Sequence, residues 1–202
     1  MNIRKIAAAA VVLLSASIGL ADIKTPISIG YSYLDMGDGD KNLSSASGVG
    51  IHFNLNPSLY PYNSENVRLL AGVGFSYFTG DGEATNTETE TTNETNSKLY
   101  LGKLELGVSY TVKVAERFYV EPGVSGVVML GRYEFDAGGG ANTIREWKGG
   151  WGIEPQVKLG WKNDNLDWGI EGRALLGQLK IAENIGSSLR EYYVGAFLNV
   201  IW

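Results

Sequence analysis

The feature that most constrains this chain is a two-residue rhythm, which returns in segment after segment from Ile27 to the last residue, Trp202. Apolar side chains alternate with polar ones or glycine, so each segment has two unlike faces, as a β-strand does and a helix does not. Ile27, Ile29, Tyr31 and Tyr33 oppose Ser28, Gly30 and Ser32, and Leu104, Leu106, Val108 and Tyr110 oppose Lys103, Glu105, Gly107 and Ser109. Eight such segments follow one another, and none of the chain beyond residue 21 reads as a long apolar helix. An even number of alternating strands predicts an all-β, eight-stranded antiparallel up-and-down barrel over residues 22–202.

Such a barrel can be soluble with an apolar inside, or cross a membrane with an apolar outside. Glycine separates the two. Most of the strand glycines among the 27 in the chain fall on the polar face. A narrow eight-stranded lumen needs small residues, whereas glycine on a solvated outer face only weakens a strand. The polar face therefore points inward and the apolar face meets lipid, which predicts a transmembrane barrel. Tyr31, Tyr33, Tyr77, Tyr110, Phe118, Trp151, Trp161, Trp168, Tyr192 and Trp202 all lie on the apolar face, many near strand ends, where aromatic girdles mark membrane interfaces.

The start of the chain reads differently. Met1 to Ala21 has Arg4 and Lys5, an apolar run to Leu14, and Gly19-Leu20-Ala21 before Asp22, the pattern of a cleaved secretory signal peptide and too short a run to span. With 17 Lys+Arg against 22 Asp+Glu, and Arg4 and Lys5 in the leader, the remainder carries about −7, which disfavours nucleic acid as a partner. There is no cysteine, so neither a disulfide framework nor a thiolate metal site is available.

The final stretch, "EYYVGAFLNVIW", alternates and closes on an aromatic ring. Together with the eight segments, it resembles the small eight-stranded outer-membrane proteins of the OmpA/OmpX type, across nearly all of residues 22–202. The resemblance implies a bacterial outer-membrane address, periplasmic termini, longer loops outside, contact with lipid and lipopolysaccharide, and recognition of the last strand by the barrel assembly machinery.

The inward face predicts a polar lumen network of Arg68, Lys103, Glu105, Glu121, Glu154, Lys158, Glu171 and Arg173, with His52, Asn54, Gln156 and Asn199. Of these charges Glu105, Glu121, Glu154, Lys158, Glu171 and Arg173 fall toward mid-height. Buried charges persist only when paired or hydrated. Such a network can be a static plug or a gated polar path, and charge alone does not choose. Glu121-Pro122 and Glu154-Pro155 put an acid inward and a proline outward, which predicts a bulge or local twist.

His52, the single histidine, has no histidine-x-serine motif around it, so lipid A-modifying catalysis is the third-ranked reading. "DMGDGDKN" (Asp35 to Asn42) lacks the calcium-loop pattern, and no metal or cofactor is expected. Gly80 to Lys98, acidic and threonine-rich, predicts a mobile outer loop with a possible external partner. Arg132, Tyr133, Phe135, Arg145 and Trp147 mix cations with rings. Leu179, Ile181, Ile185 and Leu189 are unusually apolar for exposed loops, and either extend strands or meet the glycolipid leaflet. The expected role is a non-enzymatic envelope anchor with contact loops, and the alternative is a small porin-like channel.

Overall fold

The computed structural model describes residues 23–36, 45–57, 66–86, 91–135, 144–163, 166–182 and 185–201. Strands β1 (Ile23–Met36), β2 (Ser45–Pro57), β3 (Val67–Asn86), β4 (Thr91–Tyr110), β5 (Val112–Lys113), β6 (Phe118–Phe135), β7 (Ile144–Asn163), β8 (Leu166–Ala182) and β9 (Ile185–Ile201) form one antiparallel sheet. β5 continues β4 past Thr111 and keeps its register against β6, so the described residues hold eight long strands. β1 pairs with β9 from Lys24↔Ile201 to Met36↔Leu189, and β4 pairs with β6, so the sheet closes on itself with no edge inside the membrane. The expected fold is what the structure shows.

The register fixes the tilt. Asn54 lies level with position 26 of β1. Followed from strand to strand through Gly72, Glu105, Val127, Gly152, Gly177 and Leu189, the ladder returns to β1 at Met36. The stagger from 26 to 36 is ten residues, which at ~3.3 Å per residue and ~4.8 Å between strands inclines the strands by about 40°.

Outward residues are apolar and uncovered: Ile29, Val49, Val73, Leu106, Val124, Ile153, Ile170 and Val194 are each at least 46 % exposed. In a soluble protein a continuous belt of this kind would be a large apolar patch; here it is the surface that lipid covers. Tyr31, Tyr33, Tyr77, Trp151 and Tyr192 ring its outer margin, and Tyr110, Phe118, Trp161 and Trp168 ring the end near the short turns. Trp161 stacks on Trp168 at 6.4 Å and touches Phe118 at 5.3 Å. The side chain of Trp202 and the proposed leader lie outside the described residues, as do positions 37–44.

Three expectations are corrected. In the expected loop Gly80 to Lys98, the described residues 80–86 and 91–98 are strand: β3 and β4 stay paired from Gly80↔Ser97 to Asn86↔Thr91. Threonine favours extended backbone, and a ladder already begun on a rigid barrel can continue without a core. β6–β7 and β8–β9 likewise stay paired to Phe135↔Ile144 and Ala182↔Ile185. The prolines make no bulge: Pro122 keeps register with Val157, and the β7–β8 ladder breaks at Pro155 but resumes in the same register at Gln156↔Arg173. A register shift lies instead between Lys180 and Ala182. Finally, Tyr133, Leu179 and Leu189 are not exposed; they point into the barrel and are at most 3 % accessible. The side chains of Phe135, Arg145, Ile181 and Ile185 lie outside the described residues.

Candidate functional site

Alternation on eight strands brings the inward charges to one axis. Arg173 of β8 stands at the middle. Its Nη1 donates to Glu105 Oε2 at 2.8 Å and to Glu154 Oε1 at 3.0 Å, and its Nε donates to Glu171 Oε1 at 3.0 Å. Nη2 reaches Glu171 Oε2 at 3.4 Å and, with the Asn54 amide turned to satisfy both its ends, the Asn54 oxygen at 2.7 Å. Lys103 of β4 donates to Glu191 at 2.9 Å and to Glu154 at 3.4 Å. Ser32 and Ser76 donate to Glu191, and Ser28 donates to Glu171. All these side chains are buried. Charge-assisted bonds of this length satisfy groups that would otherwise be costly to hold away from water.

Sequence reasoning had Arg68, Lys103, Glu105, Glu121, Glu154, Lys158, Glu171 and Arg173 facing inward, and all eight are buried there. The structure joins five of them, Lys103, Glu105, Glu154, Glu171 and Arg173, in one cluster. Lys158 lies at its margin, 4.0 Å from Glu171 and 5.9 Å from the Phe197 ring. Glu121 is separate, accepting hydrogen bonds from Ser109 and Thr111 at 3.0 Å each. Arg68 lies beside Ser109 toward the short turns, with the Tyr119–Asp167 hydrogen bond of 3.3 Å at the same end.

Glu191 is not among the residues expected in the lumen network, although the alternation of the last strand puts it on the same face as Tyr193 and Gly195, and it is buried there.

His52 Nδ1 lies 3.1 Å from Glu105, its ring edge-on to Tyr193 at 4.7 Å. One ligand atom each from His52, Glu105 and Glu154 fall within 4.8 Å of one another, a spacing that could hold a metal ion. Arg173 already bridges the two carboxylates, so a cation there would have to displace a guanidinium with matched geometry.

Above the ion cluster, toward the loops, the lumen changes character. Leu34, Phe78, Leu99, Leu101, Val127, Met129, Leu175, Leu179 and Leu189 are all at most 2 % exposed and form one apolar cluster, which Met36, Ala46 and Tyr133 extend. Lys148 lies over the Tyr133 ring at 4.7 Å, and the Tyr133 hydroxyl donates to Ser97 at the top. The polar network expected of the inward face fills one half of the lumen, and the other half is apolar.

No protein-family model matches the chain, and no curated protein matches it. Solved structures do. The Neisserial surface protein A is 15 % identical, with 88 % of this chain and 96 % of that one aligned at a TM-score of 0.49. Ail, the attachment invasion locus protein of Yersinia pestis, is 12 % identical over 88 % and 98 %, also at 0.49. The outer membrane protease OmpT from Escherichia coli is 11 % identical over 91 % and 98 %, at 0.50. At such identities the likeness concerns fold. The likeness to OmpT agrees with what the closed ladder, the outward apolar belt and the two aromatic girdles show by themselves: the chain has the fold of an eight-stranded transmembrane β-barrel.

Proposed function

We propose that the barrel is a sealed, non-enzymatic anchor that presents its outer hairpins for contact outside the cell. The observation that carries this reading is the filled lumen: a bonded ion cluster at mid-height with a buried apolar layer above it. An ion crossing that layer would lose its hydration without a compensating partner. The paired extensions of β3–β4, β6–β7 and β8–β9 supply firm outer surfaces. His52 is fully buried against Glu105, away from any external substrate, which favours a non-catalytic role. β9, which closes the ladder on β1, is the segment offered to the assembly machinery.

A narrow channel is the second reading, favoured by His52 Nε2, Gln156 Oε1, Lys158 Nζ, Tyr193 OH and Asn199 Oδ1, which are buried without hydrogen-bond partners in the polar half. Buried polar atoms of this kind call for water. Planar-bilayer recording decides. The wild-type barrel is expected to give no discrete conductance steps, and joint Phe78→Ala and Leu189→Ala substitution to introduce them. Steady conductance of the wild type would establish the channel instead.

A further inference from the structure

The lumen is closed differently at its two ends. Toward the loops it is packed with apolar side chains, whereas toward the short turns the closure is built around a ring. Lys113 and Lys162 at that end are exposed, yet their register partners Tyr119 and Asp167 are buried. The boundary between solvent and sealed lumen therefore runs at the height of Tyr119.

Tyr119 reaches across three strands. It starts from β6, its ring lies against Gly160 of β7, and its hydroxyl donates to Asp167 of β8 at 3.3 Å. A Cβ at Gly160 would overlap the Tyr119 ring and hydroxyl, so the missing side chain is the seat the ring occupies. Asn199, the register partner of Asp167 on β9, is buried at the same height. An eight-stranded lumen is only wide enough for side chains to fill, so one ring spanning three strands covers much of its cross-section.

Behind the ring, along the inward face of β7, Lys158 Nζ and Gln156 Oε1 are buried and, among the described residues, have no hydrogen-bond partner. Glu171 stands 4.0 Å from that nitrogen, beyond hydrogen-bond reach. Groups of this kind call for water, and water needs an entrance. The apolar layer offers none, because polar species would cross it unpaired. A tyrosine on a glycine seat, held through its hydroxyl, can turn about its side-chain torsions without disturbing the ladder. Buried carboxylates also outnumber buried lysines and arginines in the lumen, which favours entry of a small cation over an anion.

We propose that Tyr119 is a door, through which the polar half takes water and small cations from the short-turn side alone. That the other end stays shut rests on the sealed-barrel reading; the door itself does not.

Silver ion, which caps a thiol, tests this when added to one side of vesicles holding single-cysteine barrels, with free thiol counted by a maleimide after unfolding. The chain has no cysteine of its own, so Gln156→Cys reports the polar half and Ser125→Cys repeats the measurement from β6. Lys162→Cys and Arg190→Cys, at exposed positions near opposite ends, report which end faces the added ion. From the short-turn side, Tyr119→Phe is expected to speed capping of the buried thiol about fivefold, the factor one neutral hydrogen bond is worth, and Tyr119→Ala to speed it further. From the loop side the thiol is expected to stay free in all three backgrounds. Boiling-sensitive gel mobility confirms that each variant is folded. Capping at one rate whatever stands at position 119 would overturn the door, and capping from the loop side would overturn the proposal through the sealed end.

Discussion

Every N–H of Arg173 is engaged inside the lumen: two acids on Nη1, Glu171 on Nε, Glu171 and Asn54 on Nη2. Removing it takes the shared cation from three buried carboxylates, leaving Glu154 with Lys103 at 3.4 Å, Glu171 with Lys158 at 4.0 Å and Glu105 with His52 alone. Arg173→Met is therefore expected to destabilise the barrel by about 3–5 kcal/mol, measured as a lower urea midpoint of the heat-modifiable form. Arg173→Lys restores charge but not the fork, and recovers only part of that loss. Alternation alone gave the inward placement of this arginine and of its partners Glu105, Glu154 and Glu171. It did not give Leu99 and Leu101 as lumen residues, although they share the parity of Lys103 and Glu105 on β4, because an inward face was equated with a polar one. The correct rule is geometric: parity says which way a side chain points, and only its height says what it meets there.

At the scale of the strand, the outward face is defined by what surrounds it. Leu106, 48 % exposed and between inward Glu105 and Gly107, sits near mid-membrane. Leu106→Arg is expected to cost about 2–4 kcal/mol in a bilayer titration, whereas Leu106→Ile is near neutral. The inner face has the opposite tolerance. Gly30 and Gly195 are register partners, and a Cβ at Gly195 would overlap the Tyr193 hydroxyl. Gly195→Val is expected to lower stability by about 1–3 kcal/mol or to block folding, read by the same gel shift. Strand ends were the least legible part. Polar, threonine-rich composition looks alike in a loop and in a hairpin, and only the ladder from Gly80↔Ser97 onward distinguishes them.

For the whole molecule, Trp161 and Trp151 mark the two margins along a single strand, ten residues apart. At ~3.3 Å per residue and a tilt of about 40°, the apolar belt is about 25 Å tall. Refolded barrels are therefore expected to be most stable in lipids with a hydrocarbon thickness near 25 Å, and to lose stability as the acyl chains lengthen; urea titration across a chain-length series measures this. The aromatic rings and the closed architecture were legible because they follow from alternation. The apolar layer at the outer end was not, because it depends on which strands meet at one height, and that is a property of stagger.

Among the described residues the outer rim is not level. The β2–β3 ladder is described as far as Thr79 and the β4–β6 ladder as far as Ser97↔Phe135, where the described part of β6 ends, and the β3–β4 ladder runs on to Asn86↔Thr91, about 20 Å further at ~3.3 Å per residue. One two-stranded blade thus stands above its described neighbours. Antibodies raised against intact cells with a dense polysaccharide coat would reach that blade first, so their epitopes should concentrate between residues 80 and 97 and vanish when the segment is trimmed.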